Sequence, residues 1–205
     1  MLTLHYATGS SALAPHILLE EAGAAFELAP LSIPEGATRR PEFLALNPKG
    51  RVPVLVTPDG ALTENPAILE WIAEAHPGAG LVPGTAWGRA RARALAAYLC
   101  ATAHVAFAHK ARASRWTDDP EVAEALKAKV AANVAECAAH VEAHELAGPW
   151  AMGEAFGWVD PYLLLLARWM EGAGVGVSPY PKLAAHREAM LARPAVRRAM
   201  EAQGL

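Results

Sequence analysis

Apolar and polar positions change their period repeatedly along the first part of the chain. "LTLHYA" alternates as a short strand does, and "APHILLEEAG" places Ile17, Leu18 and Ala22 at helical spacing before Gly23 stops the helix. "AFELAPLSI" returns to a strand. "RPEFLALNPKG" predicts a short helix ending at Asn47-Pro48, because the residue before a proline is pushed out of the helical region. Two apolar runs in "RVPVLVTPDGALTE" flank Pro58-Asp59-Gly60, a hairpin signal. "NPAILEWIAEAHPG" then carries Ile68, Ile72 and Ala75 on one helical side, with Pro77-Gly78 ending it. Strands alternating with helices and closed by a hairpin imply a mixed sheet with helices on its faces.

Beyond "HPGAGLVPGT", which has no periodicity and reads as a linker, the pattern is helical throughout. "WGRARARALAAYLCATAHVAFAHKARASRW" and "DPEVAEALKAKVAANVAECAAHVEAHEL" predict two long helices paired as an antiparallel hairpin. The second opens on acidic residues, as a helix N-terminus favours. Further helices are expected at "DPYLLLLARWMEGAG", "YPKLAAHREAMLA" and "PAVRRAMEAQG". An α/β domain over residues 1–78, a linker over 79–85 and an all-helical domain over 86–205 follow.

Composition narrows the possibilities. The 205 residues are 53% hydrophobic, yet no run reaches the roughly 18 apolar residues of a membrane helix. The N-terminus lacks the basic region, apolar stretch and cleavage site of a signal peptide, so a cytoplasmic location without membrane association is expected. A net charge of −3 gives no footprint for nucleic acid, and Arg89, Arg91 and Arg93 read as a solvated helix flank or an inter-subunit contact. Cys100 and Cys137 lie far apart in helical sequence and read as buried thiols rather than a bridge or metal pair.

Three places carry candidate chemistry. In "YATGSSALAPH" a strand runs through Gly9-Ser10-Ser11 into a helix, so each serine is either a plain cap or a hydroxyl beside the unpaired N–H groups of a helix start, where an anion is favoured. Val52-Pro53 lies in a strand pattern, which a proline enters only at an edge or through a cis bond that turns the preceding backbone toward an extended ligand. Glu64-Asn65 opens an apolar helix. Asn65 is a good N-cap by type, and the pair could equally receive a ligand bearing both an ammonium and a carboxylate group.

Together, "YATGSSALAPHILLEEAG", "FLALNPKGRVPVL", "LTENPAILEWIAE" and "FGWVDPYLLLLARW" resemble the cytosolic glutathione transferase family, most closely its bacterial beta class, over nearly the whole chain. The resemblance implies a thioredoxin-like N-terminal domain, an all-helical C-terminal domain, a cis Val52-Pro53 bond and a homodimer. It implies glutathione as co-substrate, without a metal: Val52 pairing main chain to main chain with the cysteinyl part beside Pro53, and Glu64 and Asn65 facing the γ-glutamyl end. Ser11 stands where the beta class usually has cysteine, so a hydroxyl that stabilises the glutathione thiolate replaces mixed-disulfide chemistry. Ser10 and Tyr6 are alternative donors. His104 falls at the family's active-site histidine, although a histidine on an apolar helix is also an ordinary core residue.

Other positions depart from the family pattern. Its lysine before the short helix is replaced around Glu35 and Gly36, its asparagine on the first long helix by Ala97, and Arg39, Arg40 and Arg51 are the cations available in compensation. In the helical half Gly157 stands three residues before Asp160, where the family has a hydroxyl cap. The expected function is conjugation of glutathione to a small hydrophobic electrophile, with Trp116, Phe107 and Trp169 as lining candidates. The alternatives are a glutathione-dependent isomerase and a non-catalytic binding or assembly protein.

Overall fold

The computed structural model describes residues 1–205, which divide into two compact units, Met1–Pro83 together with Leu191–Leu205, and Gly84–Met190. The helical domain expected over 86–205 therefore differs from the second unit at its C-terminal end, since the last fifteen residues pack within the first.

The first unit is built on a four-stranded mixed sheet in the order β2-β1-β3-β4. Strand β1 (Leu2–Tyr6) pairs parallel with β2 (Phe26–Pro30) and antiparallel with β3 (Val54–Thr57). Strand β4 (Gly60–Thr63) completes the hairpin. Period-2 alternation in β1 buries Leu2, Leu4 and Tyr6 on one face, with Leu4 opposite Leu55. The Pro58-Asp59 turn is stapled by Thr57, whose Oγ1 accepts from Asp59 N–H at 3.1 Å and donates to the Gly60 carbonyl at 3.0 Å.

Helix α1 (Leu13–Glu21) connects β1 to β2 and is buried from Leu13 through Leu19. A helix that is apolar around its circumference needs cover on several sides. Helices α3 (Asn65–Ala75) and α9 (Pro194–Ala202) both pack on it. Polar contacts fix α9 in place: Arg193 holds Glu21 through two bonds of 2.5 and 2.8 Å, Arg198 reaches Glu20 at 2.7 Å, and buried Gln203 meets His16 Nδ1 at 2.9 Å. Short helix α2 (Pro41–Leu46) buries Phe43 and ends, as expected, at Asn47.

The second unit contains helices α4 (Ala86–Tyr98), α5 (His104–Arg112), α6 (Pro120–His140), α7 (Asp160–Gly172) and most of α8 (Pro181–Ala192). The expected pairing of long helices is present as α5 against α6. Each long helix, however, contains a π-helical turn, at Leu99–Ala103 and at Val141–Glu145. Such turns add a residue to the helical repeat and re-aim the following side chains. Asp119 caps α6 by accepting from the N–H groups of Glu121 and Val122.

Asp160 anchors the second core. Its carboxylate is fully buried and accepts from Ala151 N–H at 2.8 Å and Gly157 N–H at 2.7 Å, while His186 Nε2 lies 2.9 Å away. Gly157 thus contributes the main-chain half of the expected cap and nothing more. Both cysteines are free; Cys137 is buried as expected, and burial pushes its thiol pKa up, whereas Cys100 is only partly buried. No helix is long and apolar enough to cross a membrane.

Candidate active site

The turn between β1 and α1 separates the roles of its two serines. Gly9 takes φ +71°, a left-handed conformation open to glycine at no steric cost, and Ser10 N–H closes the turn on the Ala7 carbonyl at 3.1 Å. Ser10 Oγ then accepts from Ala12 N–H at 3.3 Å. Ser10 is therefore the serine that serves the helix start. Ser11 is buried at 6% exposure and does not cap the helix, whose N-cap is Ala12 without a side-chain bond. The Ser11 carbonyl accepts from Ala14 N–H at 3.3 Å and from the Asn65 carboxamide at 3.1 Å. Tyr6 is buried, with its ring beside His16, and its carbonyl accepts from Leu31 N–H.

Asn65 corrects a sequence expectation. It is the first residue of α3 rather than its N-cap; Glu64 occupies the cap position and makes no side-chain cap bond. The Asn65 carboxamide is recruited by the Ser11 carbonyl instead, and its Oδ1 is buried without a partner. Glu64 has φ +74°, the one non-glycine residue in the left-handed region, a conformation that costs roughly 1–3 kcal/mol and is characteristic of functional sites.

Val52-Pro53 is cis. Pro53 does not enter a strand, contrary to the pattern read from the sequence, because both ladders begin at Val54. A residue without an N–H cannot donate to a ladder, so the central strand starts just after it. Val52 accordingly lies outside both ladders, with its main chain available to an extended ligand.

The preceding Asn47–Gly50 turn is pinned by buried Asn47. Its Oδ1 accepts from Lys49 N–H at 3.1 Å and its Nδ2 donates to the Arg51 carbonyl at 2.6 Å. Gly50 is required at φ +60°, since a Cβ there would lie 2.7 Å from Arg39 Nη1 and 2.9 Å from the Thr38 carbonyl. Arg51, Arg39 and Arg40 are exposed. The cation that touches Glu64 is none of these but Lys49, which also donates to Thr63 Oγ1 at 2.8 Å.

In the second unit, His104 immediately follows the first π-helical turn and lines a small pocket with Leu99, Phe107, Tyr162, Leu165 and Trp169. Trp169 meets the rings of His104 and Phe107 edge to face at 5.1 and 5.6 Å. Arg112 Nη2 approaches His104 Nε2 at 3.3 Å. A guanidinium can only donate, so in this contact Nε2 is the acceptor. Trp116 is not part of this pocket; it is half-exposed and lies against His109.

Residues 2–74 match the family model "Glutathione S-transferase, N-terminal domain". Over its whole length the chain is 32% identical to Glutathione S-transferase GST-4.5 of Xanthomonas campestris, covering all of that protein. The chain belongs to the glutathione S-transferase family. Among solved structures, a glutathione transferase homologue from Sulfitobacter with bound glutathione superposes with a TM-score of 0.97 at 38% identity, covering 100% of this chain and 99% of that one. A bacterial beta class enzyme from Sphingomonas chungbukensis superposes at 0.85 with 33% identity over 99% of both chains, and the family assignment is accordingly beta-like. Maleylacetoacetate isomerase of Pseudomonas aeruginosa is 32% identical over 171 residues, 80% of this chain and 77% of that protein.

Within the first unit the fold joins Ser11 directly to Asn65, and Asn65 follows Glu64. His104 belongs to the other unit. Sequence reasoning missed Lys49, Asn47 and Arg112. Asn47 had a readable signal, an Asn-Pro-Lys-Gly turn just ahead of the Val52-Pro53 pair; Lys49 and Arg112 act through contacts 15 and 8 residues away that no local pattern encodes.

Proposed function

We propose that this chain is a glutathione S-transferase in which the Ser11 hydroxyl donates to the sulfur of glutathione, holding it as thiolate for attack on a hydrophobic electrophile. The new bond joins sulfur to the electrophilic carbon, and the displaced group leaves with the bonding pair. Catalysis then rests on a lowered thiol pKa and on proximity. The carrying observation is the division of labour at the turn, where Ser10 serves the helix start and Asn65 fixes the Ser11 backbone, leaving the Ser11 hydroxyl uninvolved in capping. Glutathione lies along the Val52 main chain beside cis Pro53, with Arg51 at the rim and its γ-glutamyl end at Glu64 and Asn65. Phe107 and Trp169, with His104 beside them in the second unit, are the side chains proposed to meet the electrophile.

We take the active form to be a cytoplasmic homodimer without a metal, as the family resemblance implies. Retention on immobilised glutathione with release by free glutathione, and conjugation of a chromogenic electrophile, test the reading. No retention and no conjugation would sink it. Glutathione-dependent isomerisation is the second reading, favoured by the similarity to the maleylacetoacetate isomerase. Turnover of maleylacetoacetate without turnover of conjugation substrates would select it.

A further inference from the structure

The candidate glutathione site contains an ion pair, Lys49 to Glu64, of which the family-level reading employs only Glu64. Lys49 and Glu64 are in contact although their side chains are 43% and 55% exposed. An ion pair so open to solvent contributes little to stability and opens readily. Its surroundings, by contrast, are tightly specified. Buried Asn47 and left-handed Gly50 fix the turn that carries Lys49. Thr63 Oγ1 takes a second bond from the ammonium, and Glu64 is held at φ +74°. Beside the pair, α3 begins with Asn65 and Pro66, and Asn65 Oδ1 is an unpartnered acceptor at 5% residue exposure.

An ammonium and a carboxylate in contact form the complement of a second zwitterion, head to tail. With Glu64 already read as a contact of the γ-glutamyl end, we infer that Lys49 is a further glutathione-binding residue, which completes the receptor for the α-amino acid end of that group. On binding, the ion pair opens. The ligand's ammonium goes to the Glu64 carboxylate, and the ligand's α-carboxylate goes to the Lys49 ammonium and the unpaired N–H groups at the start of α3. Lys49 thereby supplies the positive charge that the Glu35-Gly36 region lacks, which Arg39, Arg40 and Arg51 were expected to replace.

The inference rests on the glutathione transferase reading and is tested by calorimetric titration with three probes: glutathione, its analogue lacking the α-amino group, and its analogue lacking the α-carboxylate. Lys49→Met should weaken glutathione roughly tenfold, the loss expected for one bond to a charged group, and leave the carboxylate-free analogue unaffected. Glu64→Gln should do the same for the two amine-bearing probes and spare the analogue without the amine. In turnover, the Lys49→Met loss should fall on KM for glutathione and not on KM for the electrophile. Equal affinity for glutathione before and after Lys49→Met, a gain in affinity, or an equal loss for all three probes would overturn the inference alone. Absence of glutathione binding by the wild-type chain would overturn the inference and the functional reading together.

Discussion

Ser10 and Ser11 are adjacent and chemically identical, yet their surroundings assign them different work. Ser10→Ala removes an acceptor at a helix start and should cost about 0.5–2 kcal/mol of stability with little effect on turnover, measured by chemical denaturation and by conjugation rate. Ser11→Ala removes a donor from a bound thiolate, a loss of about 1.5–3 kcal/mol, and should lower kcat/KM at neutral pH by roughly 10- to 100-fold. That deficit should shrink as pH rises, because the thiol then ionises without help. Asn65 links the site to stability: Asn65→Ala leaves the buried carboxamide position empty and takes one of two bonds from the Ser11 carbonyl. It should destabilise by about 1–3 kcal/mol and raise KM for glutathione, seen in denaturation and steady-state rates.

Strands, helices and their order were legible because each carries its own period and its own stop: Gly23 after α1, Asn47-Pro48 after α2, Pro58-Asp59 in the hairpin. Features that depend on partners distant in sequence were not. The "YLCATAH" stretch is helical in pattern, and nothing in it announces the π-helical turn that sets His104. Asn65 is an N-cap by residue type, but the Ser11 carbonyl, 54 residues away, recruits it. The last helix was visible as a helix, whereas its docking on α1 depends on Glu20, Glu21 and His16, far earlier in the chain. Arg193→Gln should therefore destabilise the first unit by about 1–2 kcal/mol, discounted for partial exposure, with the loss seen in hydrogen exchange of α1. Asp160→Ala should cost about 3 kcal/mol or more, since it strips acceptors from the buried N–H groups of Ala151 and Gly157.

The whole chain's stability carries a pH dependence of its own. Burial lowers the pKa of His16, with Glu20 opposing, and burial also lowers that of His5. Both groups fold in the neutral form, so below their ordinary value of 6.5 the unfolded chain binds more protons than the folded one. Their contribution is complete above that value and is lost as pH falls toward the lowered folded values. The thermal midpoint should drop between pH 7.5 and 5.5, and His16→Gln should flatten part of that slope. Function depends on a different titration, that of glutathione held at Ser11. The decisive measurement is the ultraviolet thiolate absorbance of bound glutathione followed against pH in the wild-type chain and in Ser11→Ala. A pKa well below that of free glutathione in the wild type, returning toward the free value in the variant, is the predicted result; the same bound pKa in both proteins would contradict the assignment of Ser11.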